Sequence, residues 1–325
     1  MSQPEQLEAV ASRVYNLPSN PVDFPRMNHA PRRLACLVAK ALLLSVTANA
    51  TPEPAQPAPL TAGQVIERIT ANLSGDWPNS GNDGIKDGDP TTTVTGIAVT
   101  MMSTMDVLQR AAAAGTNFVI THEPTFYSGN DSLAALEEEQ DGVTAEKRAF
   151  IREHHLVIFR IHDHWHAPLR VPDPVVTGVV KELDWARYQP DPDVPIVVLP
   201  ATTLSELAAD IKRRMGIRAA RVVGDPAMRV TNVALAPGCP GPELPRSLLQ
   251  REDVEVLVLG EAREWETIEY VADAVSQGRH KALIVLGHVP SEQAGSTELV
   301  RWLRPLVPEV PVTQIDTAEP FWPAQ

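Results

Sequence analysis

The sequence predicts an α/β fold of two similar lobes, and three observations carry that prediction. Short apolar runs such as NFVI and LIVL alternate with segments whose apolar residues recur at helical spacing, the mark of βαβ units around mixed or parallel sheets. The connections between them are short. The order strand, turn, helix, strand occurs in both halves. In each half a strand runs into a similar phrase, THEP at 121–124 and GHVP at 287–290, so His122 and His288 share a local setting.

The elements follow in order. Residues 61–73 have apolar positions at helical spacing, and the Gly/Asp/Asn-rich stretch 80–90 reads as a loop. Residues 94–100 read as a strand. Ser103 and Asp106 have the spacing of a capping box that opens a helix over 104–114, closed by Gly115. Strand 117–120, helix 144–155 and strand 156–161 complete the first half. The proline-rich stretch 168–200 reads as irregular, with a helical option in VVTGVVKEL. The second half reads as helix 204–216, strand 230–238 running into a glycine turn, strand 254–260, helix 264–278, strand 281–287, helix 296–307 and a last short strand in PVTQID. The lobes are expected at 61–200 and 201–325.

Ahead of them lies a leader, 1–50, then a proline-rich linker, 51–60. From Met27 the leader has two arginines, an apolar stretch and small residues at Ala48 and Ala50, a secretory signal pattern over 27–50 interrupted by Lys40. A loose amphipathic helix is the alternative. If the leader is a signal, the location is periplasmic or secreted; otherwise it is cytoplasmic. No uninterrupted apolar run approaches the ~18 residues of a membrane span.

With a net charge of −13 over 325 residues, the chain lacks the basic footprint a nucleic-acid binder needs. Its two cysteines, Cys36 and Cys239, form no CxxC and indicate neither a cysteine zinc site nor a disulfide framework.

The nine histidines cluster. His122 precedes Glu123, His162, His164 and His166 share the run HDHWH, and Glu292 follows His288 by four. A single histidine at a strand end is ordinarily a loop residue. In an extended segment, however, alternate residues share a face, which would group His162, His164 and His166. If the sheets of the two lobes face each other, all three clusters converge. Imidazole with carboxylate and no thiolate suits zinc, iron, manganese or nickel. The set exceeds one tetrahedral ion and would serve two ions about 3.5–4 Å apart. His154 and His155 lie at a helix end and read as structural. Trp165 reads as wall packing, and Phe321–Trp322 as closing a core edge.

From about Leu60 to Trp322 the chain resembles the Nif-three-like dinuclear metal-centre family, whose bacterial members are often labelled GTP cyclohydrolase I type two-like. The motifs are NDGIKDGDPTTTVTGIAVT, GTNFVITHEPTFY, HHLVIFRIHDHWHA, VEVLVLGEAREWE and LIVLGHVPSE. The resemblance implies two lobes facing a central dinuclear metal site, two divalent transition-metal ions and a toroidal homo-hexamer. By position, the first histidine of the family's pair is His122, and its second falls on Glu123. The family's aspartate falls on His166, with His162 as the preceding histidine, and the closing pair is His288 and Glu292. One histidine has become acidic and one acid has become histidine, so three histidines and two carboxylates are again offered. Asp163 or His164 are the alternatives to His166. The mid-chain domain of some members has no room here.

The expected function is a metal-dependent hydrolase using a metal-activated bridging water. The cyclohydrolase label implies C–N hydrolysis of a small, nucleotide-like molecule, although no P-loop or GxGxxG is present. Glu261 is the candidate proton shuttle, its alternative being an acid that caps a helix start. The rival expectation is a non-catalytic metal-binding or regulatory scaffold, whose site protein ligands would close.

Overall fold

Two five-stranded sheets organise the molecule, described by a computed structural model over residues 58–73, 81–166 and 172–322. The expected signal at 27–50 and most of the linker lie outside the described residues. No helix among the described residues is long and apolar enough to cross a membrane.

The first half begins with helix α1, Ala62–Asn72. Thr61 and Gln64 close a capping box at its start, and Val65 and Ile69 form its inward stripe. Strands β1, Gly84–Asp87, and β2, Ile97–Thr100, follow. Then come α2, Met105–Ala113; β3, Phe118–Thr121; α3, Ala134–Glu138; α4, Gly142–Glu153; β4, Val157–Arg160; and α5, Pro174–Glu182. The second half contains β5, Ile196–Thr203; α6, Leu204–Arg214; β6, Arg221–Val223; β7, Arg229–Ala236; α7, Glu243–Gln250; β8, Val256–Leu259; α8, Glu269–Ser276; β9, Ala282–Val285; α9, His288–Leu303; and β10, Val312–Gln314.

The strand orders are β1-β4-β3-β2-β10 and β5-β7-β8-β9-β6. In each sheet three central strands are parallel, and one edge strand, β1 or β6, runs antiparallel. Read from that edge, β1-β4-β3-β2 and β6-β9-β8-β7 are the same topology. The repeat is therefore real, but its register differs from the echo in the sequence. β4 corresponds to β9, so His288 answers to His162. β3 corresponds to β8, so Glu123 answers to Glu261. The fifth strands break the symmetry. β5 straddles the 200/201 position and joins the second sheet antiparallel, while β10, far along the chain, joins the first beside β2.

Both sheets are covered on both faces, which is why their central strands read as unbroken apolar runs. Ile97, Val99, Phe118, Ile120 and Phe159 pack with Val65, Ile69, Leu299 and Leu303 on one face of the first sheet. Ala98, Val119 and Ile158 meet Val107, Leu108, Ala111 and Ile151 on the other. The second sheet is sandwiched in the same way, with Leu204, Leu207 and Ile211 on one side and Leu248, Leu249 and Val271 on the other. The equivalent helices α5 and α9 touch backbone to backbone: a Cβ on Gly178 would lie 2.5 Å from the Ala294 carbonyl oxygen. Alanine is normally worth up to ~1 kcal/mol over glycine inside a helix. Here overpacking reverses the sign, and Gly178→Ala is expected to cost about 1–3 kcal/mol, read as a fall in urea midpoint. A rise would mean that α5 and α9 are not so tightly apposed.

Several elements depart from expectation. β1 lies inside the predicted loop, and β5 begins inside the predicted irregular stretch and runs past its end. Short β6, α3 and α7 carried too little periodicity to be read. Helix α9 starts at His288 and not at 296, because Pro290 sits in its first turn, where a missing N–H costs nothing. The expected helix 264–278 opens as a π-helical turn, Glu264–Ile268, kinked at Glu266, and continues as α8. Thr104, not Ser103, caps α2; the Ser103 hydroxyl goes to Thr125. Trp165 is buried as expected, whereas Phe321 and Trp322 are 75% and 73% exposed and close no core.

Candidate metal centre

The carboxyl ends of β3 and β4 and the start of α9 meet at one point. β3 delivers His122 and Glu123, both buried. After β4 the chain does not stay extended. The His166 N–H bonds the His162 carbonyl, so residues 162–166 form a turn and not an alternating strand. This brings His162 and His166 together and sends His164 away. The His164 Nδ1 sits 2.6 Å from Asp83 Oδ2, and Asp83 also accepts the backbone N–H groups of His162, Asp163 and His164. Asp163 is taken up by Asn82 and by His162 Nδ1. Of the three alternatives at this position, only His166 enters the cluster.

Four imidazoles present Nε2 inward and hold Nδ1 against an acceptor behind. His122 Nδ1 meets the Ile161 carbonyl at 3.1 Å, His162 Nδ1 meets Asp163 at 2.8 Å, and His166 Nδ1 meets Asp173 at 3.0 Å. His288 Nδ1 lies 3.3 Å from Glu261. An acceptor behind each ring is the arrangement that orients a metal-ligating histidine. The Nε2 atoms meet two carboxylates. Glu123 Oε1 is 3.1 Å from His288 and 3.5 Å from His162. Glu292 Oε2 is 3.1 Å from His288 and 3.6 Å from His122, and its Oε1 is 3.8 Å from His166. Glu292 thus meets imidazoles with both of its oxygens. Two overlapping trios, His122–His162–His166 and His122–Glu123–Glu292, could each hold a metal ion.

The residues fit such a group. Glu292 Oε2 is buried with only imidazole Nε2 atoms beside it, His288 at 3.1 Å and His122 at 3.6 Å, and a cation there would offset the cost of burying its charge. Gly238 presses on Glu292, and any Cβ there would collide with the carboxylate; its φ of 70° also favours glycine. His122 Nε2 and His166 Nε2 lie 3.0 Å apart, so a shared proton or cation must separate their lone pairs.

The electrostatics agree. Burial, and then His162 and His166, hold His122 well below the usual imidazole range, leaving it neutral. Burial also opposes charge on His162, but bonds to Asp163 and Glu123 raise it to about 10. Against the same burial, Glu123 and Glu292 raise His288 to about 11. Burial favours a protonated Glu123, yet His162 and His288 hold it far below the usual carboxylate range. In a metal-free centre, protons stand where cations would.

Glu261 lies on the outer, Nδ1 side of His288 and is half-exposed, so it does not enter the cluster. The residues that sequence reasoning missed are those behind the ligands. Arg160, 2% exposed, bonds Glu123, Asp131 and the carbonyls of His122 and Gly129. A lone arginine in the run LVIFRI was the available signal. Asp83 and Asp173 carried none.

A family model described as Duf34/NIF3 (NGG1p interacting factor 3) matches residues 64–163 and 194–320, more than half of the chain. Solved structures share the fold. A hypothetical protein of Staphylococcus aureus is 19% identical with a TM-score of 0.63, covering 82% of this chain and 100% of its own. A Bacillus cereus protein related to NIF3 is 13% identical with a TM-score of 0.64 and the same coverages. The protein ybgI, titled as of unknown function, is 23% identical with a TM-score of 0.59, covering 79% of this chain and 96% of its own. No curated protein matches the chain.

Proposed function

Because the chain belongs to the Duf34/NIF3 family, we propose that it is a dinuclear metal-binding protein that works as a hydrolase on a small molecule. The observation that carries this reading is the convergence of four imidazole Nε2 atoms on Glu123 and Glu292. In the proposal His122, His166 and Glu292 would hold one ion, and Glu123, His162, His288 and Glu292 the other. When bound, such a pair supplies Lewis acidity and a water made acidic near neutral pH. The chain's own part is positional. Asp173, Asp163 and the Ile161 carbonyl fix the imidazoles, and Arg160 fixes Glu123. Glu261 holds the outer nitrogen of His288, and its half-exposed carboxylate can pass a proton between that side and solvent. Ring C–N hydrolysis, the cyclohydrolase-like option, belongs to this proposal.

One observation favours the rival scaffold reading: His162 adds a fourth imidazole, which could close the coordination an enzyme must leave open. Metal content by plasma mass spectrometry tests the common ground. About two transition-metal ions per chain are expected, largely lost in a His122→Ala/His288→Ala protein. Binding has a pH sign as well. His162 and His288 hold their protons up to about 10 and 11, so loading at neutral pH must expel them. About two protons per chain should be released into weakly buffered solution, and affinity should fall as the pH is lowered. No metal after reconstitution with zinc, manganese and iron would defeat the reading.

A further inference from the structure

We infer that Thr317 is a positioning residue of the candidate metal centre, clamping together the two parts of the chain that supply its ligands; the inference rests on the metal-centre reading above. Those parts are far apart in sequence. His122 and Glu123 follow β3, and both hang by their backbone on the segment that follows β2. The His122 N–H bonds the Thr100 carbonyl at 3.1 Å, and the Glu123 N–H bonds the Met101 carbonyl at 2.8 Å. The Thr121 hydroxyl adds a second hold, accepting the Ser103 N–H and donating to the Glu123 carbonyl. His288 and Glu292 stand instead on the first turns of α9. In the proposed ligand sets each ion draws on both parts, so the placement of segment 100–103 against α9 governs both ions.

Thr317, 4% exposed, bonds to both sides. Its hydroxyl accepts the Met102 N–H at 2.9 Å and lies 3.1 Å from the Met102 carbonyl oxygen and from the Thr100 hydroxyl. Its own N–H donates to Gln293 Oε1 at 2.8 Å, on the residue next to Glu292. The chain around Thr317 is held in the same two directions. Gln314 accepts a bond from Thr297 of α9, and the Asp316 carbonyl accepts one from Arg110 of α2. The hydroxyl is not needed to fill space, because valine would occupy the same volume. What it adds is direction: bonds to both backbone groups of Met102 fix that segment's register, and the N–H carries the register across to α9. Groups behind a metal's ligands act on affinity in this way, by holding the ligands at one geometry.

The test follows cobalt(II) bound to the full chain, whose visible absorption reports the number and arrangement of ligands, with affinity measured against a competing chelator. Thr317→Val removes the hydroxyl and keeps the bulk, Gln293→Leu cuts the other arm, and Thr317→Ser keeps the hydroxyl. Thr317→Val and Gln293→Leu should each bind cobalt about tenfold more weakly, with an altered spectrum, while Thr317→Ser stays within about twofold of the wild type. Because both arms belong to one connection, the double variant should be no weaker than the poorer single variant. A merely structural threonine would lower the urea midpoint of the metal-free protein but leave cobalt affinity and spectrum unchanged, and that result would overturn the inference. Losses that multiply in the double variant would overturn it too, since the two residues would then act separately. Should Thr317→Val not fold, Gln293→Leu decides: unchanged cobalt binding there defeats the clamp. A wild-type chain that takes up no cobalt defeats the metal-centre reading and the clamp with it, whereas cobalt bound equally by all variants defeats the clamp alone.

Discussion

A Glu292→Gln protein is expected to lose both metal ions and not merely one. Glu292 is 4% exposed, and its two oxygens face different partners, His166 on one side and His122 with His288 on the other. The proposed ions share it. Glutamine keeps the shape but removes the charge and replaces one oxygen by a donor group. Losing the partner behind a metal-ligating histidine costs about 10–100-fold in affinity, and losing a shared anionic ligand should cost more. Metal content should fall from about two ions per chain to well below one. Glu123→Gln is the control. Glu123 lies within 3.5 Å of His162 and His288 but farther from His166, so one ion, at His122, His166 and Glu292, should remain. Equal losses in the two variants, or full content in Glu292→Gln, would exclude a bridging role for Glu292.

Arg160→Leu should be the most damaging single change to stability away from the ligands themselves. The guanidinium is 2% exposed and lies 3.3 Å from both Glu123 and Asp131. It also donates to the carbonyls of His122, which is buried, and Gly129. Leucine could fill much of the space in the strand, but Asp131 and Glu123, both buried, would lose a guanidinium counter-charge. Removing one partner of a buried ion pair costs about 3–5 kcal/mol, mostly from the charge left behind. A urea midpoint lowered to that extent is the expected result, with metal content reduced because Glu123 loses its anchor. A cost below about 1 kcal/mol would show that Lys86, 3.8 Å from Asp131, already balances the charge.

The sequence was most legible where local chemistry and global fold agree. Central strands buried on both faces, such as 117–120 and 281–287, announce themselves as apolar runs, and the histidines lie at their ends because the chain must leave the sheet there. The edge strands β1, β5 and β6 were not read. They are short, polar on one side or interrupted, and they exist because a neighbour offers hydrogen bonds. The site was legible as a list of ligands but not as geometry. HDHWH was expected to alternate, but it turns, because Asp83 gathers three successive N–H groups across 79 to 81 positions of sequence. No local pattern could reveal that carboxylate. The likeness of THEP to GHVP was real as wording and misleading as register: strand order pairs His288 with His162, and Glu123 with Glu261.

The return of β10 to the first sheet sets the timing of biosynthesis. The outer edge of β2 is covered by residues 312–314, and the Thr317 hydroxyl ties back to Met102 across 215 positions. While the chain is being made, every other strand of that sheet is available long before this one. The nascent first half must therefore wait with an open, apolar edge until β10 leaves the ribosome, the kind of interval in which unpaired strands find wrong partners. A chain cut just before β10 would keep every other strand of both sheets and leave the edge of β2 unsealed.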